Sequence, residues 1–441
     1  MKKKQLRWTL WTIASPFILF IILCILIYLP PIQNFLVDKA AVYASEATGM
    51  NISVGRISLS FPLNLVVTDV DAASPHNDTL LSVRRLQVNV QLLPLLKKQV
   101  EVDGISLQGA TVNSNDLIHG MKLNGTLGEL FISSHGVALD PETAIVNKVL
   151  LKDTDLSLCL NDTAAADTAA SDTTYWKIIL QDIDLQNVSF ALDMPLDSLS
   201  LAASLDNATL RDGLIDLHKS AYSLQTFRIK NGRVRYDSGR PSATASADSL
   251  SAGLDPSHIA LTDIGVKLDS LYYEGRNMKA IISQFVLKER SGVEIVSATG
   301  RMVSNDKVLR VPSLKLETRD SYLELNAAMD WNALDFKDEG LVSARLMADI
   351  GKPDVVRFMG SMDEKFIRQY PSEPLRIRTG IDGDLNKLKL TTLTAELPGA
   401  LGLFARGELT HLTDSLLRGG DITLEAETKD LKFVSTLAEG I

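Results

Sequence analysis

The sequence predicts a mainly β chain: one N-terminal transmembrane helix, then a long antiparallel meander with few short helices. Three observations predict it. Residues 8–29, WTLWTIASPFILFIILCILIYL, form an uncharged apolar run. From about residue 50 the apolar residues recur with a period of two instead of 3.6. Beyond that point helix signals are scarce, and Gly, Asn and Asp pairs punctuate the alternating stretches.

Residues 1–7 form a basic head carrying Lys2, Lys3, Lys4 and Arg7. As a helix at roughly 1.5 Å per residue, the apolar run that follows reaches about 33 Å, enough to cross a hydrocarbon core. Trp8, Trp11 and Tyr28 lie near its ends, where amphipathic rings favour the interface, and Phe17 and Leu23 lie within it. The basic residues mark the cytoplasmic side, which puts residues 30–441 outside the cytoplasm. A cleaved signal peptide fits less well. Its apolar region is shorter, and the nearest cleavage-like triplet, Val42-Tyr43-Ala44, sits too far downstream. A buried core helix would carry a polar face, and this run has only Thr9, Thr12 and Ser15 near its start.

After Pro30-Pro31, residues 30–49 read as a short amphipathic helix. Ile32, Phe35, Leu36 and Tyr43 fall near one face, and Gly49 supplies a stop. Residues 50–441 read as one extended β region. In NISVGRISLSF the apolar set is Ile52, Val54, Ile57, Leu59 and Phe61, with a phase slip at Gly55 that resembles a bulge. Similar alternation recurs at 81–93, 100–113, 149–160, 177–192, 227–236 and 308–318. Polar punctuation at Asp103-Gly104 with Gly109, Asp153 to Asp155, Gln186-Asn187 and Asn231-Gly232 predicts hairpin turns between short strands. The best helix signal is 352–371. Pro353 suits a first turn and Pro371 a stop, and Val355, Met359, Met362 and Phe366 share one face that would cap a sheet. Gly360 interrupts it. The small, polar stretch 161–174 reads as a loop within a hairpin, with a linker between two β domains as the alternative.

Four of the 45 basic residues precede the span, which leaves the rest of the chain with a net charge of −13 against 54 acidic residues. That argues against nucleic acid as a partner. Cys24 lies in the span and Cys159 is the only other cysteine, so no disulfide staples the ectodomain.

Signals for catalysis are missing from the sequence. Its six histidines, His76, His119, His135, His218, His258 and His411, show no metal-ligand spacing, and His119 and His135 stand beside Gly in expected loops. There is no phosphate-cradling glycine motif and no nucleophile elbow. The i,i+2 carboxylate pairs Asp69/Asp71, Asp153/Asp155 and Asp182/Asp184 would suit acid–base chemistry, but they read as solvated strand ends. The expectation is a protein that is not an enzyme and takes no cofactor or metal; a membrane-anchored hydrolase is the minority reading. A long sheet with one apolar face is either covered by a second sheet or curled into a trough, and composition alone favours the sandwich.

The order of features over 8–110 shifts that balance. Gly49 before the first strand, Thr68-Asp69-Val70, and above all LLPLLKKQVEVDGISL at 92–107 resemble the N-terminus of the AsmA-like superfamily, in particular its TamB type, the inner-membrane subunit of the translocation and assembly module. Residues 291–318 are similar to the repeating body of those proteins. The resemblance implies a single-pass inner-membrane anchor, a periplasmic bulk, and an elongated, curled antiparallel sheet that forms a groove. It implies conduction of phospholipid toward the outer membrane, with assembly of outer-membrane β-barrel proteins by strand addition as the alternative. The inner membrane, phospholipid acyl chains and an outer-membrane barrel protein are the implied partners. Ile57, Leu59, Val88, Val90, Leu107, Leu185 and Leu316 are the candidate groove-lining positions. TamB-type proteins run far longer, so this chain reads as a fragment or a short relative. With ~20–25 strands at about 4.8 Å each, such a sheet would reach roughly 100–120 Å.

Overall fold

The computed structural model describes residues 39–439 apart from positions 40, 43, 44, 47 and 338 and the segments 61–63, 75–77, 92–101, 115–119, 139–141, 162–174, 240–252 and 360–363. The predicted span at 8–29, with Trp8, Trp11, Phe17, Leu23 and Tyr28, lies outside the described residues. So do Met362 and nearly all of the stretch 161–174. Among the described residues, no helix is long and apolar enough to cross a membrane. The chain is mainly β, antiparallel, with few short helices, and it divides into two compact units between Asp167 and Thr168.

In the first unit, helical residues between 39 and 48 end at Gly49, whose φ of 69° is the left-handed stop expected of a glycine at that position. The Gly49 N–H donates to the Ser45 carbonyl at 2.9 Å. Among the described residues six strands follow: β1 (Asn51–Ser60), β2 (Asn64–Ala73), β3 (Thr79–Val90), β4 (Val102–Asn113), β5 (Met121–Ala138) and β6 (Thr143–Leu160). Each pairs antiparallel with the next.

The second unit opens with β7 (Lys177–Met194), β8 (Leu199–Asp216), β9 (Ala221–Leu224) and β10 (Thr226–Ser238). Then come β11 (His258–Glu274), β12 (Asn277–Glu289), β13 (Glu294–Ser304), β14 (Val308–Thr318) and β15 (Tyr322–Asp330). It closes with β16 (Leu341–Ile350), β17 (Leu375–Asp384), β18 (Lys387–Leu397), β19 (Leu401–Thr410) and β20 (Gly419–Thr428). The meander is sequential, with β9 and β10 lying between the same neighbours, β8 and β11, as two halves of one strand broken at Gln225. Among the described residues it also has four short helices: α1 (Trp331–Leu334), α2 (Lys352–Met359), α3 (Glu364–Gln369) and α4 (Leu431–Glu439). The sequence signal at 352–371 thus resolves into α2 and α3, with Gly360 between them.

The expected hairpin turns are not turns. Asp103-Gly104 and Gly109 lie inside β4, Asp153 to Asp155 inside β6, Gln186-Asn187 inside β7 and Asn231-Gly232 inside β10. His135, expected in a loop, lies in β5. Asp, Asn and Gly mark these sites for a different reason: Asp69, Gly109, Asp153, Asn187, Asp212, Asn231 and Asp263 all hold φ between 49° and 61° within strands. Among residues other than glycine, Asn and Asp tolerate that left-handed region best.

In the first unit these residues form one row. The registers put Gly55 opposite Asp69, Asp69 opposite Arg84, Arg84 opposite Gly109, Gly109 opposite Gly128, and Gly128 opposite Asp153. At this row every strand slips phase by one residue. The inward positions, apolar except for the buried Thr154, step by three across it: 54 to 57, 67 to 70, 83 to 86, 107 to 110, 127 to 130 and 151 to 154. Since all six strands slip together, the register across the row does not shift. The expected bulge at Gly55 is therefore corrected: β1 carries its share of a crease that crosses the whole unit. Glycines are needed where the backbones crowd. A Cβ on Gly128 would stand 2.8 Å from the Asp153 Cβ, and one on Gly55 would stand 2.9 Å from the Asp69 Cβ.

The second unit has its own crease along Asn187, Asp206 and Asn231, where the Asn231 amide donates to the Asp206 carboxylate. Register shifts follow in the pairings from β10 to β15 and again from β17 to β19, including one between Val311 and Leu314 that contains Pro312. A bulge is the place a strand interior accepts proline.

Two buried apolar clusters among the described residues both lie in the second unit. Tyr370, Leu397, Ala400 and Phe433 form one, joined by Val355 and Phe366 from the helices. Ala333 of α1, Val342 and Leu385 form the other. Asp354, 1% exposed, ties α2 to the β14–β15 turn. Its carboxylate accepts from the Thr318 hydroxyl, from Ser321 Oγ at 2.6 Å and from Arg357 at 3.0 Å.

The crease makes a specific demand on residue type. Asp153→Gly leaves the β5–β6 pair as protected as in the native chain, whereas Asp153→Val, β-branched in a left-handed conformation, destabilises it by about 1–2 kcal/mol. Amide hydrogen exchange across β5 and β6 checks this; equal protection in both variants would show that the crease needs no left-handed residue.

Candidate functional site

Residues paired directly across antiparallel strands share a face, so continuous rows can be followed from strand to strand. In the first unit, Ile57, Val67, Leu86, Leu107, Leu130 and Leu151 form one row. Two residues along, Leu59, Leu65, Val88, Ile105, Ile132 and Val149 form another. Every member is aliphatic. Of the five candidate lining residues in this unit, Ile57 and Leu107 share the first row and Leu59 and Val88 the second. Val90 lies one step further along β3, opposite Val102 beyond a register irregularity.

The second unit holds a longer row. It begins with Leu185 in β7, Ala208 in β8, Ile229 in β10, Val266 in β11, Phe285 in β12 and Ala298 in β13. It continues through Leu316 in β14, Leu323 in β15, Ala348 in β16 and Ile377 in β17, then Ala395, Leu403 and Ala426 in β18 to β20. Thirteen strands contribute and none breaks the apolar sequence. At about 4.8 Å per strand the row runs about 58 Å. Both candidate lining residues of this unit, Leu185 and Leu316, are members. Sequence reasoning missed the alanines, because a lone small residue in an alternating strand is a weak hydrophobic signal; their phase with the leucines of their own strands was the available clue.

A companion row two residues away includes Ile183, Leu210, Phe227, Leu268 and Ile282. It reaches Leu424 through Gly300, Leu314, Leu325, Leu346, Thr379, Leu393 and Ala405. The opposite face is polar. Asp184, Thr209, Arg228, Lys267 and Gln284 form one of its rows, and Glu317, Tyr322, Asp349, Arg376 and Glu396 part of another.

Among the described residues of this unit, the apolar face has little over it. Ala208, Ala298 and Ala348 are buried between larger neighbours, while the leucines, isoleucines and phenylalanine of the row remain part-exposed. The described helices cover this face near strand ends. On β17, Leu375 packs against the Tyr370–Phe433 cluster, and Ile381 against the Val342–Leu385 cluster six residues on. The two contacts are thus about 20 Å apart along the strand, with Ile377 and Thr379 between them.

The carboxylate pairs have other occupations. Arg211 bonds both Asp182 and Asp184, the latter at 3.1 Å, which fixes that pair as a cross-strand staple on β7 and β8. Asp69 and Asp153 are the left-handed residues of the crease, and all three pairs lie within strands, where strand ends were expected. Among the described residues, no group of three or more His, Cys, Asp or Glu is placed to hold a metal ion.

The helical margin carries a titratable core residue. Tyr370, 6% exposed, sits edge-on to Phe366 and Phe433 at 5.8 Å, and burial raises its phenol above the ordinary 10.0. A folded pKa above the unfolded one means the margin is fully stable below about pH 10 and loosens as pH rises beyond it. Hydrogen exchange over α2 to α4 is therefore expected to speed up above about pH 10 in the native chain and much less in Tyr370→Phe. Equal acceleration in both would assign the loosening to another group.

No protein-family model matches the chain, and no curated protein matches it.

Proposed function

We propose that the chain is a single-pass inner-membrane protein, anchored by residues 8–29 with its bulk in the periplasm, that conducts phospholipid along a hydrophobic β-groove toward the outer membrane. The observation that carries this reading is the uninterrupted apolar row from Leu185 to Ala426, flanked by its companion row and left part-exposed. The resemblance of residues 8–110 to TamB-type proteins supports it.

The physical case rests on what such a face can hold. An extended polypeptide lying across it would bury backbone N–H and C=O groups without partners, at about 1–3 kcal/mol each. A hydrocarbon chain has no such groups. Each methylene it buries contributes about 0.8 kcal/mol. Successive strands offer closely similar apolar surface, so a chain slides from one to the next without a deep trap.

A second reading, a scaffold that assembles outer-membrane β-barrel proteins by strand addition, draws on β20. All its residues are exposed, including Ile422 at 46% and Leu424 at 61%, and among the described pairings it has only β19 as neighbour. A strand with a free edge is a template for another.

Photocrosslinking amino acids at Leu107 and Leu316, compared with Gln108 and Lys315 on the opposite face, separate the readings in membranes. Phospholipid captured at the first two positions and not at the second two is the expected result. Equal capture on both faces, or none, overturns the groove. Capture of a barrel protein that a proline at Thr423 or Leu424 abolishes would favour the scaffold.

A further inference from the structure

Six turns lie along one margin of the second unit, where β8, β11, β13, β15, β17 and β19 each lead into the strand that follows. Large apolar side chains stand exposed on this margin in a set order. Leu217 and Tyr222 flank the first turn, Tyr273 the second, Phe336 the fourth, and Leu416 and Leu417 the sixth. Leu416 is 92% exposed, and the rings of Tyr222 and Tyr273 lie 6.1 Å apart. The third turn is Asn305-Asp306-Lys307, and the fifth holds a buried Leu385 beside Asn386. Each of the six also carries an acid and a base, from Asp216 with Lys219 to Asp414 with Arg418. Phe336 runs against local preference. It follows α1 in the left-handed region, at φ 60°, where a helix ordinarily stops on Gly or Asn, and it is 62% exposed. A bulky residue is seldom held there, and so exposed a ring gains little burial within the chain to offset the strain.

We infer that this margin binds a second copy of the same chain, turn against turn in the same order, about a twofold axis running along the line. The pairing is independent of what occupies the apolar face. A twofold axis sets a patch against its own image. In the same order, apolar turns meet apolar turns, and the third and fifth turns meet their own polar images. In reversed order Phe336 would face Asn305-Asp306-Lys307, and Tyr273 would face Asn386. Charge favours the same arrangement. A turn that holds both signs can set its acid against the base of its image, as Asp306 against Lys307 of the other copy. Among the described residues neither Lys307 nor Arg418 forms an ion pair within the chain. An anionic bilayer surface attracts an excess of Lys and Arg, whereas these turns hold acids and bases together. Tyrosine and phenylalanine amid such mixed charge are the composition of a protein interface.

The test uses the full-length chain in phosphatidylcholine vesicles, with Cys24 and Cys159 replaced by serine and one new cysteine at a time. Mild oxidation and gel electrophoresis read the disulfide-linked dimer. Leu417→Cys and Lys307→Cys are each expected to give about fivefold more dimer than Leu196→Cys, an exposed position in the β7–β8 turn at the opposite strand ends. Chains with Leu217→Cys mixed with chains with Leu416→Cys give no excess of the mixed dimer, which reversed order would favour. Added to Leu417→Cys, Phe336→Gly lowers the yield about tenfold while the melting temperature holds or rises, since the glycine relieves the strain. Asp306→Lys, which sets lysines against lysines, also lowers the yield, and Asp306→Lys with Lys307→Asp restores it. Equal yield at Leu417, Lys307 and Leu196 overturns the pairing, as does a predominant mixed dimer or a yield indifferent to Phe336→Gly and Asp306→Lys. Capture of lipid and not of protein by a photocrosslinking residue at Phe336 would assign the margin to a membrane surface and overturn it as well.

Discussion

A strand that alternates in and out has only one way to keep its apolar side inward through a kink: it must spend one residue changing phase. In the first unit all six strands do so at the same row, from Gly55 to Asp153. Left-handed residues on alternate strands make the turn of the backbone, and Gly55 and Gly128 provide clearance opposite Asp69 and Asp153. The common row is what matters. Had one strand slipped alone, its apolar residues would have crossed to the polar face. Because they slip together, Ile57 and Val54 face the same side, and so do their partners out to Leu151 and Thr154.

The apolar rows follow from that coordination. In the second unit a crease at Asn187, Asp206 and Asn231, followed by register shifts, keeps Leu185 in line with Leu316 and with residues as far as Ala426. One side of each strand then offers hydrocarbon only, and the other carries charges that staple neighbours, as Arg211 does with Asp182 and Asp184 and Arg378 with Asp349. Helices buried at the strand ends, through Phe433 and Ala333, bound the apolar face over its last strands without closing it. Within the second unit, no second sheet, which composition favoured, lies over it among the described residues.

Much of this was legible in the sequence. The period-two pattern located the strands, Gly49 marked the end of the first helix, and of the seven candidate positions Ile57, Leu59, Val88, Leu107, Leu185 and Leu316 fall on the apolar rows while Val90 lies beyond a register irregularity. The failures share one cause. Asp, Asn and Gly serve both as turn residues and as left-handed residues within strands, and a local window cannot tell the two apart. A local reading therefore places turns at Asp153 and Asn187 and cuts strands of 18 residues in half. What distinguishes the cases is long-range: a turn residue faces the next strand's turn, whereas Asp153 faces Gly128, 25 positions earlier. The brief α1, four residues long, is too short to establish a period of 3.6. The alternation of Ala348, Ile377, Ala395 and Leu403 was invisible for a similar reason, as it exists only across strands.

The coordinated phase slip is most directly tested by spin labels placed one at a time from Val149 to Leu156 in β6, with Cys24 and Cys159 replaced. Collision with a water-soluble nickel complex reports which side chains stand clear of the sheet. Low accessibility at 149, 151, 154 and 156, with high accessibility at the adjacent pair 152 and 153, is the pattern a crease produces. Unbroken alternation through 149, 151, 153 and 155 would mean that no phase change occurs at Asp153, and the apolar rows would not hold together.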